Sequence, residues 1–546
     1  MKGKLGLAGL IIFVAAVSFV LCSAWDWRSL VVTQPKPGKN VGAKLIPHTL
    51  TGIANCMECH QSGLGGRAPQ VTHKLWSQDC LACHSTAAML AGTPAPPAAD
   101  RKQWAKNLQP PARQKGEYVI LSWNDVGMKC VSDNDKHFGL HYPSQVLWAQ
   151  VFRRGDPPTL VTSGVELRYA APEGRRNPAA TLDFWNYVKV MHKKDIPVNV
   201  GMAGLAADQG KFTFNPENNA YIARGIPVSP YDDSGKPDPY PLFSLQLTDL
   251  ATGAVLAETK VNTPVSAENG CYRCHGGTPN RGTGFGDETS KNFLAVHDKK
   301  NNTTLLADAE AGKPAFCQSC HAAANIGAKG NPERLTLSAA MHGWHAQYLK
   351  GGTVDTCGVC HPSSSSGTTV CLRDVHAGND VSCGQCHGEM RMHAGAVLMF
   401  QSELPAARRS MDRLRGGESW GPVTPQSRQP WAQEPDCLSC HVNHTKAPKG
   451  ASSYNHWVAG MGSLFRNDTA NFGIMCAACH GSPHLVYPNS TYGDRKVNYQ
   501  PEAYQGIAAP IAVNNRCSVC HISPITGDAV HSNMSQPFVM PMKSRP

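Results

Sequence analysis

One five-residue word, Cys-x-x-Cys-His, occurs nine times in this chain of 546 residues. The copies join Cys56 and Cys59 to His60, Cys80 and Cys83 to His84, Cys271 and Cys274 to His275, Cys317 and Cys320 to His321, Cys357 and Cys360 to His361, Cys383 and Cys386 to His387, Cys437 and Cys440 to His441, Cys476 and Cys479 to His480, and Cys517 and Cys520 to His521. With 21 Cys and 23 His in the chain, random placement would yield about 0.03 copies. Two thiols and an imidazole at this spacing are what covalent attachment of a c-type haem requires. The thiols form thioethers with the porphyrin, and the adjacent His lies under the iron as its proximal ligand. Structural zinc wants four ligands, usually from two separated pairs, and disulfides would not fix a His after every second Cys. The words therefore imply nine haem c groups, each with its iron.

That cofactor load bounds the fold. The hydrophobic fraction, 41%, is modest for the length, and porphyrin planes would serve as much of the core. From Cys271 onward the words begin at intervals of 46, 40, 26, 54, 39 and 41 residues. Segments so short cannot each build an apolar core. The expected fold is a multihaem cytochrome c, mostly loops and short helices around covalent haems, with one β-rich insertion. The net charge of +11 would be offset in large part by haem propionates. No nucleic-acid-binding motif accompanies it, so no nucleic-acid partner is expected.

Five stretches divide the chain. In residues 1–27, Lys2 and Lys4 precede an uncharged run over 5–24. At about 20 residues this run is long for a signal peptide and long enough to span a bilayer. A weak cleavage site at Cys22-Ser23-Ala24 favours removal, whereas Trp25 and Trp27 would suit a retained helix at the membrane interface. A cleaved signal and an inner-membrane anchor are both open, and both export the remainder to the periplasm or cell surface. Residues 28–90 form a two-haem unit behind a short linker, and 91–115 form a Pro- and Ala-rich spacer. Residues 116–266 lack the word and change to a two-residue period. Strands are predicted at 118–121, 146–152, 165–169, 242–247 and 255–261, with Phe243, Leu245 and Leu247 alternating against Ser244 and Gln246. Ala251-Thr252-Gly253 is a turn between the last two. A helix is predicted over 181–193, with Phe184, Val188 and Met191 on one face. This stretch is expected to be an inserted β-sandwich-like domain. Residues 267–546 carry seven haems.

The second axial ligand decides the chemistry. Fourteen His remain after the nine proximal ones. The distal candidates are His48 and His73, shortly ahead of the first two words, then His297, His342, His345, His376, His456, His484 and His531. His393 and His444 stand in reserve, while His137, His141 and His192 are taken as ordinary polar residues. An iron with imidazole on both faces has no open position and a low potential. The expected function is electron transfer rather than catalysis. The contrasting class is a multihaem reductase of a small oxyanion, which needs an empty distal face with acid–base groups beside it. A third role, docking or filament assembly through the β region, is compatible with electron transfer.

The stretch Asn124-Asp125-Val126-Gly127-Met128-Lys129-Cys130 resembles the Asn-Asp-Leu-Gly-Met-His-Cys signature of a family of multihaem cytochromes from metal-reducing and related bacteria. The similarity continues through Leu147-Trp148-Ala149-Gln150-Val151, Gly225-Ile226-Pro227, Met341-His342, Cys371-Leu372-Arg373 and the segment from Cys476 to His484. Val126 and Lys129 depart from the signature. The resemblance implies electron transfer outside the inner membrane towards redox partner proteins or extracellular acceptors. Cys130 and Cys371 both fall in these stretches and outside the words. In an oxidising compartment they are candidates for a disulfide between the β and haem regions, the alternative being two unpaired thiols.

Overall fold

The computed structural model describes residues 111–282, 284–363, 369–459, 464–466, 473–489, 495–525 and 531. The expected signal or anchor segment 1–27, the expected two-haem unit 28–90 with the words at Cys56 and Cys80 and the ligand candidates His48 and His73, and nearly all of the expected spacer 91–115 lie outside them. Among the described residues no helix is long and apolar enough to cross a membrane.

The stretch without words is built on strands. In chain order these are β1 (Tyr118–Asn124), β2 (Lys129–Cys130), β3 (Phe138–Gly139), β4 (Gln145–Arg153), β5 (Thr159–Leu160), β6 (Val165–Ala170), β7 (Gln209–Lys211), β8 (Thr213–Asn215), β9 (Ala220–Ile226), β10 (Leu242–Asp249), β11 (Val255–Asn262) and β12 (Val265–Ser266). One sheet runs β1-β4-β9-β8, with β5 attached to β4, and the other runs β11-β10-β6-β7. A shared core joins them: Ile120, Leu147, Val151 and Tyr221 from the first sheet meet Leu167, Tyr169, Phe243, Leu245 and Leu247 from the second. The helix α1 (Phe184–His192) buries Phe184, Val188 and Met191, the three residues that its period places on one face.

The two sheets differ in wetness. Strand β10 alternates because one of its faces meets solvent. Its hairpin to β11 is closed by Asp249, whose carboxylate accepts from Ala251 N (3.0 Å) and Thr252 N (2.8 Å), with Gly253 at φ 70°, a conformation that favours glycine. Strands β1 and β4 are buried on both faces. Their outer residues Val119, Leu121, Trp123, Val146, Trp148 and Phe152 pack against Met475, Ala477, Ala478, Tyr504, Ile511 and Val519 from the word-bearing half. Strand β1 is also the sheet edge, and side chains take up its free backbone groups. Tyr504 Oη accepts from Ile120 N (3.2 Å) and donates to Ile120 O (2.9 Å). Gln500 does the same for Ser122, accepting from its N at 2.9 Å and donating to its O at 3.0 Å. Without them a buried strand edge would hold unsatisfied amides.

The word-bearing half is helical in short pieces: α2 (Tyr272–His275), α3 (Asp287–Asn301), α4 (Leu305–Glu310), α5 (Leu337–His345), α6 (Val354–Cys357), α7 (Val375–Gly378), α8 (Cys383–His387), α9 (Met390–Met399), α10 (Pro405–Arg415), α11 (Cys476–His480) and α12 (Tyr499–Gln505). The longest, α3, has Asp287 and Glu288 in its first turn, Lys299 and Lys300 in its last, and Asn302 as a left-handed cap. Those charges suit the helix dipole, and the cap ends it. Helices α5, α9 and α10 pack through small residues, Ala339, Ala346, Ala394 and Ala407, together with Val397, Leu398 and Leu414.

Candidate functional site

Each described word makes a single helical turn. The His amide bonds back to the carbonyl of the first Cys: His275 to Cys271 (2.8 Å), His321 to Cys317 (3.0 Å), His361 to Cys357 (2.9 Å), His441 to Cys437 (2.9 Å) and His521 to Cys517 (2.9 Å). The other two words are the helices α8 and α11 themselves. In such a turn the two Cys, three residues apart, share a face, and the His follows on the next position.

Imidazoles from elsewhere in the chain come up to these word histidines. The ring-centroid separations are 6.4 Å for His297 and His321, 6.1 Å for His342 and His361, 6.1 Å for His376 and His441, 6.1 Å for His484 and His387, and 6.2 Å for His531 and His480. Burial, and after it the neighbouring His345, push His275 down to about 4, which places His345 beside the remaining word of α2. The reserve residues enter the same clusters. His393 lies 6.0 Å from His387 and 4.5 Å from His342, and His444 stacks on His531 at 4.2 Å.

Five of the far nitrogens are held by backbone carbonyls. His321 Nδ1 donates to Leu335 O (2.7 Å), His342 Nδ1 to Ser338 O (2.8 Å), His345 Nδ1 to Met341 O (2.7 Å), His441 Nδ1 to Thr445 O (2.9 Å) and His484 Nδ1 to Val126 O (3.3 Å). A carbonyl acceptor fixes the ring proton on Nδ1 and leaves the Nε2 lone pair available. Two rings donate to carboxylates instead, His376 to Asp374 and His521 to Asp156, each at 3.2 Å. His387 differs from these. Arg428 donates to its Nδ1 at 3.0 Å, so Nε2 must shed its proton, or Arg428 must turn away, before that ring binds a metal. Burial, followed by neighbouring imidazoles, pushes His342 and His480 down to about 4, which keeps both rings neutral near pH 7 and so able to ligate.

No protein-family model matches this chain, and no curated protein is significantly similar to it.

Two candidates are not brought to a partner ring. His456 serves the backbone, its carbonyl accepting from Asp436 N at 2.9 Å, and among the described residues no imidazole faces it. The same is true of the word residue His521, whose Nδ1 meets Asp156. Of the histidines taken as ordinary, His192 packs on Phe316 at 4.3 Å and Tyr142 at 5.7 Å, and His137 Nδ1 lies 3.9 Å from Asp287. His141 lies close to His361: burial, followed by that charge, pushes it down to about 4.

The words lie near one another in succession. Cys317 and Cys271 pack on one cluster of Phe138, Phe285 and Leu294. Gly270 abuts the next word so closely that a Cβ there would fall 1.5 Å from Val359 O. A Cβ on Gly384, inside the word of α8, would fall 2.8 Å from Gly352 O, at the turn leading into α6. Burial first, and then the nearby Cys440, push the Cys386 thiol up. Burial, then Glu434, Asp436 and Cys476, push Cys437 up to about 12. Cys479 and Cys520 share the cluster beneath β1 and β4. The spatial order of the words, named by their first cysteines, is 317, 271, 357, 383, 437, 476, 517, with the first two exchanged relative to the chain.

The expected bridge between Cys130 and Cys371 is not formed; both thiols are free. Cys371 Sγ lies instead 3.9 Å from His484 Nδ1. Cys130 sits in β2, paired with Ser266 of β12, where burial and then the nearby Cys371 push its thiol up to about 12. The signature around it clasps the word-bearing half. Ser482 Oγ donates to Asn124 O at 2.7 Å. Gly127, at φ 89°, faces Pro483 O, which would stand 2.3 Å from any Cβ added there.

Proposed function

We propose that this chain is a multihaem c-type cytochrome that carries electrons outside the inner membrane through nine covalently bound haems, most of them held between two histidines, towards redox partner proteins or extracellular acceptors. The observation that carries this reading is the set of five imidazole pairs at 6.1–6.4 Å. With a metal–nitrogen bond of about 2 Å on each side, two imidazoles facing each other across one iron have centroids about 6 Å apart. The free thiols of the words stand for thioether sulfurs in the mature protein. Among the described residues no three or more His, Cys, Asp or Glu side chains converge as ligands of a bare ion, whereas rings in twos suit a macrocycle that supplies four nitrogens of its own.

Bound at these positions, haem iron would supply reversible one-electron exchange. The chain's part is to aim each Nε2, to fix the ring through Nδ1, and to seat the words edge to edge. The order of the seven words supports conduction, because each lies near the next. The resemblance of residues 124–130 to the multihaem cytochrome signature points the same way. The β region would serve as scaffold and as a surface for partners or further copies.

A pyridine haemochrome assay on the purified, exported, full-length chain should return nine haems, and electron paramagnetic resonance should find the irons overwhelmingly low-spin. Far fewer haems would sink the proposal. A strong high-spin signal together with turnover of a small oxyanion would replace it with the reductase reading.

A further inference from the structure

We propose that Asp374 makes the site of His376 and His441 the most reducing of the seven described, a proposal that rests on the haem reading above. Asp374 is 0% exposed. Its Oδ2 accepts from His376 Nδ1 (3.2 Å) and Val486 N (3.2 Å), and its Oδ1 accepts from His376 N (2.9 Å) and Ala377 N (3.3 Å). Four N–H groups converge on two oxygens and leave no place for a proton, so the side chain is a carboxylate. The guanidinium of the adjacent Arg373 is engaged elsewhere, donating to Val370 O at 3.0 Å and lying 4.4 Å over the Tyr240 ring.

A carboxylate on the far nitrogen makes an imidazole a stronger donor to its metal than a carbonyl does. A stronger donor and a fixed negative charge both favour the ferric ion over the ferrous one, which lowers the potential. The effect is greatest where no water screens the charge. His321, His342, His345, His441 and His484 have neutral carbonyls in this position. Two other carboxylates approach a site ring: Asp298 lies 3.9 Å from His297 Nδ1 and reaches it only through the Thr303 hydroxyl, and Asp156, which accepts from His521 Nδ1, is 31% exposed and also accepts from Ser523 N. Asp156 should therefore act in the same direction and more weakly. In the file of words the site at Cys437 stands between those at Cys383 and Cys476, so an electron crossing the molecule would meet its steepest climb in the interior.

The test is a potentiometric titration of the full-length, haem-loaded protein, followed optically and by the low-spin resonances. Asp374→Asn should shift the most negative one-electron step towards ferrous by about tenfold in equilibrium, about 59 mV for a one-electron couple. Asp156→Asn should give a smaller shift of the same sign, and Asp412→Asn, at an exposed carboxylate paired with Arg415, should give none. An Asp374→Asn protein that keeps nine haems and an unchanged most negative step overturns the proposal. If that variant does not accumulate, His376→Met decides: the step that vanishes should be the most negative one, and loss of any other step overturns the proposal equally. A parent protein without haem would instead defeat the reading beneath it.

Discussion

The β region and the word-bearing half bury different things. Between its sheets the first closes over large side chains: Phe243, Leu245, Leu247, Tyr169 and Ile120 are each 0–1% exposed. The second, where its helices meet, closes over a mixture of small and large ones, Ala339, Ala394 and Ala407 beside Leu398, Leu414 and Trp420, and its histidines cluster with one another. A region that fills its own core can fold on its own side chains. A region of short helices around facing histidines would, on the haem reading proposed above, leave part of its centre to the cofactor. The cofactor would then be a structural element of one half and irrelevant to the core of the other.

The sharpest way to break this contrast is to withhold haem. A chain produced without haem attachment should be cut by protease throughout 267–525, while a fragment spanning β1 to β11 survives. Equal digestion of both halves would show that the sandwich also depends on the cofactor. Next in size is Phe243→Ala, which should cost about 3–5 kcal/mol and lower the thermal midpoint of the sandwich with or without haem, as read by far-ultraviolet circular dichroism. Tyr504→Phe tests the seam. It strands the Ile120 amide and carbonyl at a buried strand edge and should cost about 1–3 kcal/mol, with amide exchange rising in β1 and not in β10.

The smallest effect is set by acid. Burial, above all other causes, pushes Asp133 and Asp183 up to about 6, against an unfolded value of about 4. A raised carboxyl contributes stability that is complete below the unfolded value and is lost as pH rises through the folded one. Asp183→Asn should therefore gain thermal stability relative to the parent as pH goes from 4 to 7. A constant difference across that window would show that Asp183 is ionised throughout.

The sequence displays the two halves unequally, for physical reasons. Strand β10 was visible as a pattern because one face is wet. Strand β1, expected over 118–121, runs on to Asn124, and its continuous burial hides the period that would mark its end. The words are local and need no fold to be seen. Their partner rings are not local: His297 and His531 come from 24 residues before and 51 residues after the word histidines that they face, His321 and His480. Residue type alone could nominate them, but it gives no reason to prefer His484 over His393 at His387, and the structure puts both within reach. Nor does it distinguish a carboxylate beneath a ring from a carbonyl. Asp374 precedes His376 by two residues and could be suspected, whereas Asp156 lies 365 residues from His521. The exchanged order of the first two words belongs to packing around Phe138, in the β region.

The clasp at Gly127 ties the history of the two halves together. The carbonyl of Val126, one residue earlier, orients His484, so the turn that docks the sandwich also aims that imidazole. Replacing this sandwich by an unrelated one would do more than remove a surface: it would leave the His484 ring free to swivel. The insertion is for that reason a poor candidate for exchange by recombination, and any lineage that keeps the ring should keep the glycine beside it.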